Sequence, residues 1–202
     1  MTEDKYKKQV WKPSVMTSPV PPVMVTSRYD GTDNVFTVAW TGTVNTHPPM
    51  TYISIRPERY SYELIKKSGV FVINLTTEEL TKACDYCGVR SGRKEDKFEK
   101  TKLIKTEASK IDAPIIAQSP INIECEVRQI IPLGTHDMFL AEIVSLDVSE
   151  ELIDENGRLC LENAGLTAYA HGEYFALGRK LGCFGFSVRK KKKNTRIRRK
   201  SR

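Results

Sequence analysis

The sequence predicts a mainly β protein with short helices, in which the strands form a closed or nearly closed barrel. At least six segments carry the β-branched and aromatic residues typical of strands, and most follow one another in antiparallel hairpin order. Only two or three short helical segments lie between them, and no glycine-rich dinucleotide fingerprint follows a strand. This order favours a β-barrel with helical insertions over an alternating parallel sheet. A length of 202 residues fits one such domain.

The elements predicted up to residue 75 are strands, their connections and one helix. Asp, Gly and Asn residues at 30–34 are typical of a hairpin turn, so the strands on either side are predicted to pair antiparallel. Ser61 is placed to cap the N-terminus of the helix, and Gly69 stands just past its end. The predicted elements are strands at 23–29, 35–40, 51–55 and 70–75, a loop at 41–50 and a helix at 61–69.

The second part of the chain begins with another helix. Apolar residues recur at helical spacing after Thr76 and Thr77, and either threonine can cap that helix. A long connection rich in Ser, Gly, Arg and Lys follows, and we predict a binding loop there because most loops in compact domains are short. The predicted elements are a helix at 76–88, a loop at 89–105, strands at 121–134 and 137–149 joined by Gly-Thr-His, and an irregular segment at 150–188.

The positive charge of the chain is concentrated at its C-terminal end. The last fourteen residues hold ten Lys or Arg and no acidic residue, so the remainder carries 22 basic against 25 acidic residues. Such a run normally repels itself, and we predict a disordered tail at 189–202, with contact to RNA or an acidic surface as the alternative. Residues 1–19 are polar and interrupted by prolines, which predicts a flexible arm before a domain at 20–188.

The apolar stretches and the cysteines of the chain indicate its cellular location and whether it binds a metal. No stretch of eighteen apolar residues and no signal-peptide core are present, so we expect a cytoplasmic protein without membrane contact. Five cysteines are an odd number and are predicted to be free thiols. The spacing of Cys84 and Cys87 suits a redox pair or half a zinc site, but no second pair completes a metal shell. We therefore predict no metal and a pair of partly buried thiols.

The strongest candidate site is SIRPERYS, which lies directly before the predicted helix. A phosphate monoester is bound by guanidinium groups and neutral hydroxyls, best at a helix N-terminus where backbone amides point outward. The segment supplies Arg56 and Arg59 together with Ser54 and Ser61. The alternative is a charged surface turn with a capping serine.

Other candidates have simple structural alternatives. Trp40 ends an apolar strand, and a core tryptophan needs no ligand. His136 and His171 have no neighbouring carboxylate and nucleophile, so acyl transfer by a Ser/His/Asp arrangement is not predicted. The predicted loop at 89–105 contains a second set of possible hydrogen-bond donors for the same anion, although most runs of charged residues are simply solvated. This set consists of Arg90, Ser91, Arg93 and Lys97.

Three stretches carry a family resemblance: NVFTVAWTGTVNTHPPMTYISIRPERYSYELIKKSGVFVINL, CGVRSGRKEDKF and AHGEYFALGRKLGCFGFS. Together they resemble the flavin reductase-like, FMN-binding split-barrel family and, within it, the flavoredoxin-type branch. The resemblance runs from about Val20 to Val188, with the motifs in the family's order. It implies a homodimer of split β-barrels that holds FMN non-covalently near the dimer interface.

The resemblance also implies which residues contact the flavin. One strand would line the isoalloxazine ring, the SIRPERYS turn would hold the phosphate and ribityl chain, and the later loop would close over the cofactor. Two residues from later segments would approach the ring. The residues implied for the ring-lining strand are Asn34, Thr37, Ala39 and Trp40, and those for the phosphate and ribityl chain are Ser54, Arg56, Arg59, Tyr60 and Ser61. The residues implied for the closing loop are Ser91 and Lys97, and the two later residues near the ring are His136 and Tyr169.

The implied function is that of an FMN-dependent, flavin reductase-like oxidoreductase that takes electrons from NAD(P)H or another donor. The alternative is a flavoredoxin-type carrier, which exchanges electrons with a redox protein and turns over no small molecule. A third alternative is an RNA-associated protein led by the basic tail. Because a flavin supplies its own hydride and electron chemistry, no catalytic acid or base is predicted.

Overall fold

The structure is a computed structural model, and it describes residues 6–189. The predictions for residues 1–5 and for the tail beyond 189 lie outside the described residues. None of the described helices is long and apolar enough to cross a membrane. The strands are β1 Val23–Tyr29, β2 Thr32–Val38, β3 Thr41–Thr46, β4 Pro49–Ile55, β5 Val70–Leu75, β6 Lys105–Glu107, β7 Pro114–Ile116, β8 Ile121–Pro132, β9 Asp137–Val148, β10 Thr167–Ala170 and β11 Glu173–Ala176. The α-helices are α1 Tyr60–Ser68, α2 Thr81–Val89 and α3 Lys97–Thr101.

Seven antiparallel strands form the main sheet, in the order β2-β1-β5-β8-β9-β4-β3. Its edge strands β2 and β3 are consecutive in the chain and are separated only by Ala39 and Trp40. The sheet therefore has to curl until its two edges approach each other. At this seam the backbone amide of Ser54 donates to the carbonyl oxygen of Trp40 at 2.9 Å. The mainly β, split-barrel fold predicted from the sequence is confirmed.

Alternation along β1 divides the apolar residues into an inner and an outer core. Val23 and Val25 belong to the cluster inside the barrel, whereas Met24 between them belongs to the cluster under α2 and α3. This is the period-two pattern of a strand that is covered on both faces. Helix α1 adds Tyr62 and Ile65 to the inner core, which fixes the start of α1 against the barrel.

The helix ends follow the sequence only in part. Gly69 is the C-cap of α1 in the left-handed conformation, as predicted, and its N–H donates to the Ile65 carbonyl. The prediction that Ser61 caps α1 is wrong, because the N-cap is Arg59 and Ser61 lies buried in the first turn. The prediction that Thr76 or Thr77 caps α2 is also wrong, because the N-cap is Leu80. The hydroxyl of Thr77 accepts the N–H of Leu80 in the turn before the helix.

Two segments predicted to lack strands contain them. Residues 41–50 are not a loop, because β3 and the start of β4 occupy them and pair in a hairpin. Residues 150–188 are not irregular throughout, since β10 and β11 pair there and three short 3-10 helices accompany them. The predicted loop at 89–105 also contains α3, which Asp96 caps through the N–H groups of Phe98 and Glu99.

Two smaller predictions also have an outcome. Strand β2 ends at Val38, so Trp40 lies beyond it and not at its end. The second predicted hairpin is confirmed as β8 and β9, which pair along their length. Residues 6–19 are exposed, and the arm that they form is attached to β10, where Val20 and Tyr169 exchange backbone hydrogen bonds of 2.9 and 2.8 Å.

Candidate functional site

A groove of three adjoining cavities runs along the barrel seam. The cationic cavity of about 160 Å³ lies between the start of α1 and the loop that leads to α3. The middle cavity, about 220 Å³, shares Phe36 and Arg59 with it. The arm cavity of about 920 Å³ shares Trp40 and Tyr169 with the middle cavity. Every residue predicted to contact a flavin lines this groove: Asn34, Thr37, Ala39, Trp40, Ser54, Arg56, Arg59, Tyr60, Ser61, Ser91, Lys97, His136 and Tyr169.

Lys97 forms the floor of the cationic cavity and is only 3% exposed. Its ammonium donates to the carbonyl oxygens of Cys87 at 3.1 Å and Arg90 at 3.3 Å. Burial, with a smaller contribution from the positive charge of Arg59, lowers the pKa of Lys97 to about 8. An anion in the cavity would oppose this shift by favouring the charged ammonium.

A hydrogen bond between Asn34 of β2 and Ser61 of α1 forms the inner wall of the cationic cavity. The amide nitrogen of Asn34 donates to the Ser61 hydroxyl at 2.6 Å, and both side chains are buried. Gly92 of the opposite loop packs its backbone onto the same wall, because a Cβ there would overlap the amide oxygen of Asn34. No pattern in the sequence singles out Gly92 for this contact.

The loop is fastened to the turn before α1 by Arg93. Its guanidinium donates to the carbonyl oxygen of Glu58 at 3.1 Å and lies 5.3 Å from the centre of the Tyr60 ring. Arg59 reaches in the opposite direction and donates to the carbonyl oxygen of Gly88 at 3.1 Å. The SIRPERYS turn and the RSGRKEDKF loop therefore converge on one cavity, but only part of the predicted donor set meets there. Ser54 and Arg56 line the middle cavity instead, and Arg93 lines neither cavity.

Trp40 and His136 stand together in the middle cavity. Their ring centroids are 4.4 Å apart and the ring planes are inclined by 41°. Trp40 is 41% exposed, so it is not a core tryptophan. Burial lowers the pKa of His136, and the charge of Arg56 lowers it further, so the imidazole is neutral at pH 7. The middle cavity thus offers an aromatic surface without an ionised histidine.

The two cysteines of the Cys84–Cys87 pair are buried free thiols beneath the groove. Burial raises the pKa of both thiols, that of Cys87 to about 11, so neither is a thiolate at neutral pH. The hydroxyl of Thr37 donates to the carbonyl oxygen of Cys84 and ties β2 to α2. Within residues 6–189 no group of three or more His, Cys, Asp or Glu is placed to hold a metal ion.

Comparison with protein families gives a match over most of the chain. Residues 15–178 match the family model described as "Flavin reductase like domain". The chain belongs to the flavin reductase-like family. The family predicted from the sequence motifs is therefore confirmed for this flavin reductase-like chain.

Curated relatives match parts of the flavin reductase-like chain. An uncharacterized protein of Archaeoglobus fulgidus is 36% identical over 111 residues, which are 55% of this chain and 63% of that protein. An uncharacterized protein of Aeropyrum pernix is 34% identical over 125 residues, 61% of this chain and 48% of that protein. The chain thus spans less than two thirds of the length of these two relatives. The reductase component of a FADH(2)-dependent resorcinol hydroxylase from Rhizobium is 27% identical over 144 residues, 69% of this chain and 78% of that protein.

Solved structures share the fold of the flavin reductase-like chain. The flavoredoxin of Desulfovibrio vulgaris (Miyazaki F) superposes with a TM-score of 0.84 at 26% identity, over 91% of this chain and 100% of that one. The flavoredoxin of Methanosarcina acetivorans gives 0.82 at 24% identity, over 91% and 100%. An FMN-binding protein of Thermus thermophilus gives 0.73 at 23% identity, over 88% and 98%. At these identities the last two show the fold alone.

Proposed function

We propose that the chain holds FMN non-covalently in the groove and acts as an oxidoreductase that passes electrons from NAD(P)H or another donor. The observation that carries this proposal is the polarity of the groove. Guanidinium, ammonium and hydroxyl donors surround one end, and an exposed indole beside a neutral imidazole stands next to them. A flavin mononucleotide has the same division into a phosphate and a planar ring.

The donors of the cationic cavity fit a phosphate monoester. Arg59, Ser61, Ser91 and Lys97 line one small cavity, and the first turn of α1 adds backbone N–H groups at its helix N-terminus. Arg56 lines the adjoining cavity beside Arg59. Two or three cations are enough to balance a phosphate monoester that carries nearly two negative charges at pH 7.

Each residue of the groove has a separable task in this proposal. Arg56 and Arg59 bind the phosphate, while Ser91 and Lys97 close the cavity over it. Trp40 and His136 flank the ring and exclude water from one side of it. FMN, when bound, supplies the hydride and one-electron chemistry, so the protein contributes orientation and charge.

Titration with three flavins tests the cofactor. By isothermal calorimetry FMN is expected to bind more tightly than FAD, and riboflavin ~10- to 100-fold more weakly than FMN, because it lacks the charge-assisted phosphate contacts. FAD is a real competitor, because one relative is the reductase component of a FADH(2)-dependent hydroxylase. Tighter binding of FAD, or equal binding of riboflavin and FMN, would contradict the proposal.

A flavoredoxin-type electron carrier is the second candidate function. The Desulfovibrio vulgaris flavoredoxin favours it, since the likeness extends over that whole chain. A carrier exchanges electrons with a redox protein and does not need a binding site for a nicotinamide. The expected homodimer and a cytoplasmic location are common to both candidates. Light scattering on the purified protein tests the dimer.

A further inference from the structure

We propose that the arm cavity binds a small, uncharged, ring-containing organic molecule beside the flavin ring. The cavity adjoins the middle cavity, and the two share Ala39, Trp40, Ser54 and Tyr169. A molecule in the arm cavity therefore lies next to the aromatic end of the groove, away from the arginines. The inference names a substrate class for the proposed oxidoreductase and relies on that function only for the identity of the neighbouring cofactor.

The charge of the cavity wall decides the class of ligand. Of the described residues that line the arm cavity, none is Asp, Glu, Lys or Arg, and His171 is the one histidine. The cationic and middle cavities, in contrast, are lined by four cations and one carboxylate, namely Arg56, Arg59, Arg90, Lys97 and Glu58. An ionised group in the arm cavity would lose part of its hydration and would meet no counter-charge in the wall, which is unfavourable. A dinucleotide pyrophosphate is therefore disfavoured at this end of the groove.

The side chains of the arm cavity favour an apolar, planar molecule. Trp40, Tyr52 and Tyr169 supply aromatic surface, and Leu133 and Met138 supply aliphatic surface. Aromatic pairs gain from offset or edge-to-face contact in addition to the burial of apolar area. The polar groups that can orient a ligand there are hydroxyls and one imidazole, and none of them is a carboxylate, ammonium or guanidinium group: they belong to Ser14, Thr17, Ser18, Thr41, Tyr52, Ser54, Tyr169 and His171. A volume of about 920 Å³ accommodates a molecule of one or two rings.

The N-terminal arm forms one wall of the cavity. Residues 14–18 line it, and the pairing of Val20 with Tyr169 anchors the arm directly after that wall. Val15 and Met16 are 74% and 53% exposed, which leaves apolar area that a bound molecule would cover. Because the wall is an arm and not a barrel strand, it can be altered without touching the core.

A matched pair of probes tests the inference. The full-length protein, with and without saturating FMN, is titrated by calorimetry at pH 7 with 2-naphthol, which is neutral, and with 2-naphthoate, which has a similar shape and carries a negative charge. We expect 2-naphthol to bind at least about tenfold more tightly than 2-naphthoate. Equal binding of the two probes, or no binding of 2-naphthol, overturns the inference. If the protein is a dimer in which the other subunit fills the cavity, 2-naphthol does not bind, and this result overturns the inference as well.

Two arm variants locate the probe. Met16→Glu introduces a carboxylate into the wall and is expected to weaken 2-naphthol binding about tenfold or more. Val10→Glu is the control, because Val10 is an apolar arm residue that is fully exposed and does not line the cavity. Leu133→Glu repeats the test at an exposed lining residue outside the arm. Unchanged 2-naphthol affinity in both the Met16 and Leu133 variants overturns the inference.

FMN binding on the same samples separates this inference from the proposed function. Binding of 2-naphthol without binding of FMN supports the arm cavity and contradicts the FMN proposal. Binding of FMN without binding of 2-naphthol overturns the arm-cavity inference and leaves the FMN proposal in place. The Met16→Glu change is expected to leave FMN affinity within a factor of about two, because Met16 does not line the cationic or middle cavity.

Discussion

Gly92 packs directly against Asn34, so closely that a Cβ atom at position 92 would overlap the Asn34 amide oxygen and approach the Tyr60 ring at 3.0 Å. Asn34 cannot easily move aside, because its amide nitrogen donates to Ser61 at 2.6 Å in a buried position. The loop that carries Ser91 is thereby held against the start of α1. The shape of the cationic cavity depends on this contact.

The first prediction is that Gly92→Ala weakens FMN binding about tenfold while the protein stays folded. The added methyl group has to push the loop away from Asn34 and Tyr60, which moves Ser91 from the cavity. Gly178→Ala is the matched control, because a Cβ atom at position 178 would meet nothing within 4 Å beyond its chain neighbours. Calorimetry with FMN and urea unfolding measure the two effects. FMN affinity equal to that of the parent would show that the loop does not close the phosphate site.

The second prediction concerns the guanidinium of Arg59. Arg59→Ala removes a charged donor from the cationic cavity, and we expect FMN affinity to fall by ~10- to 100-fold. Arg128→Ala is the control, since Arg128 is paired with Glu126 and Glu142 on β8 and β9 and does not line the groove. If both variants bind FMN as the parent does, Arg59 belongs to a solvated surface turn.

Much of the barrel could be predicted because its buried strands show their periodicity in the sequence. Strand β3 could not, because it is an edge strand whose residues are mostly exposed, and its Thr, Gly and Asn residues resemble a loop. The β10–β11 hairpin is short, yet His171 and Gly172 at its turn both have positive φ. The His171-Gly172 pair, which stands between the two strand segments, was the sequence feature that could have indicated a hairpin turn there.

The arginines and serines of the groove could be predicted as a group of candidate donors because charge and hydroxyl chemistry are local to SIRPERYS. Their convergence with the later loop depends on the packing of Gly92 and on the contact of Arg93 with Glu58, which no local pattern contains. The N-cap prediction failed for a related reason. Ser61 faces inward to Asn34, so its hydroxyl serves a tertiary contact and not the helix end.

The third prediction is a pH dependence that arises from Lys97. Its pKa of about 8 is below the ordinary value because of burial, so the ammonium becomes neutral as pH rises through 8. FMN affinity should therefore decrease between about pH 7 and 9, where the flavin phosphate keeps its charge. Riboflavin, which has no phosphate, should show no such decrease. Lys97→Met should bind FMN more weakly at pH 7 and lose the pH dependence, as measured by calorimetry.

The same shift affects the stability of the flavin-free protein in the opposite sense. Between about pH 8 and 10 the unfolded chain keeps a proton on Lys97 that the folded chain has lost, so the free energy of unfolding contributed by Lys97 rises with pH. Urea unfolding of the parent and Lys97→Met proteins isolates this contribution as a difference. A decrease of that difference with pH would contradict the assignment.

The fourth prediction concerns the contact between α1 and β9. The hydroxyl of Tyr62 donates to Asp137 at 2.5 Å, and this bond, together with burial, raises the pKa of Tyr62 to about 12. Tyr62→Phe leaves the buried carboxylate without this donor, and we expect the free energy of unfolding to fall by ~1–3 kcal/mol. Tyr29→Phe is the control, because Tyr29 is 39% exposed at the end of β1. Urea unfolding at pH 7 measures both variants, and equal stability would exclude a structural role of the bond.

The last prediction separates the reductase from the carrier. Hydride transfer requires a nicotinamide to reach within about 3–3.5 Å of the flavin ring, whereas a carrier needs only an exposed ring edge and a docking surface. The groove favours the reductase, because Trp40 is 41% exposed in the middle cavity and so offers an aromatic surface on which a nicotinamide could stack. Anaerobic stopped-flow mixing of the FMN-loaded protein with NADH and with NADPH should bleach the flavin within seconds. A flavin that stays yellow for many minutes with both nucleotides, yet is bleached by dithionite, would contradict the reductase and support the carrier.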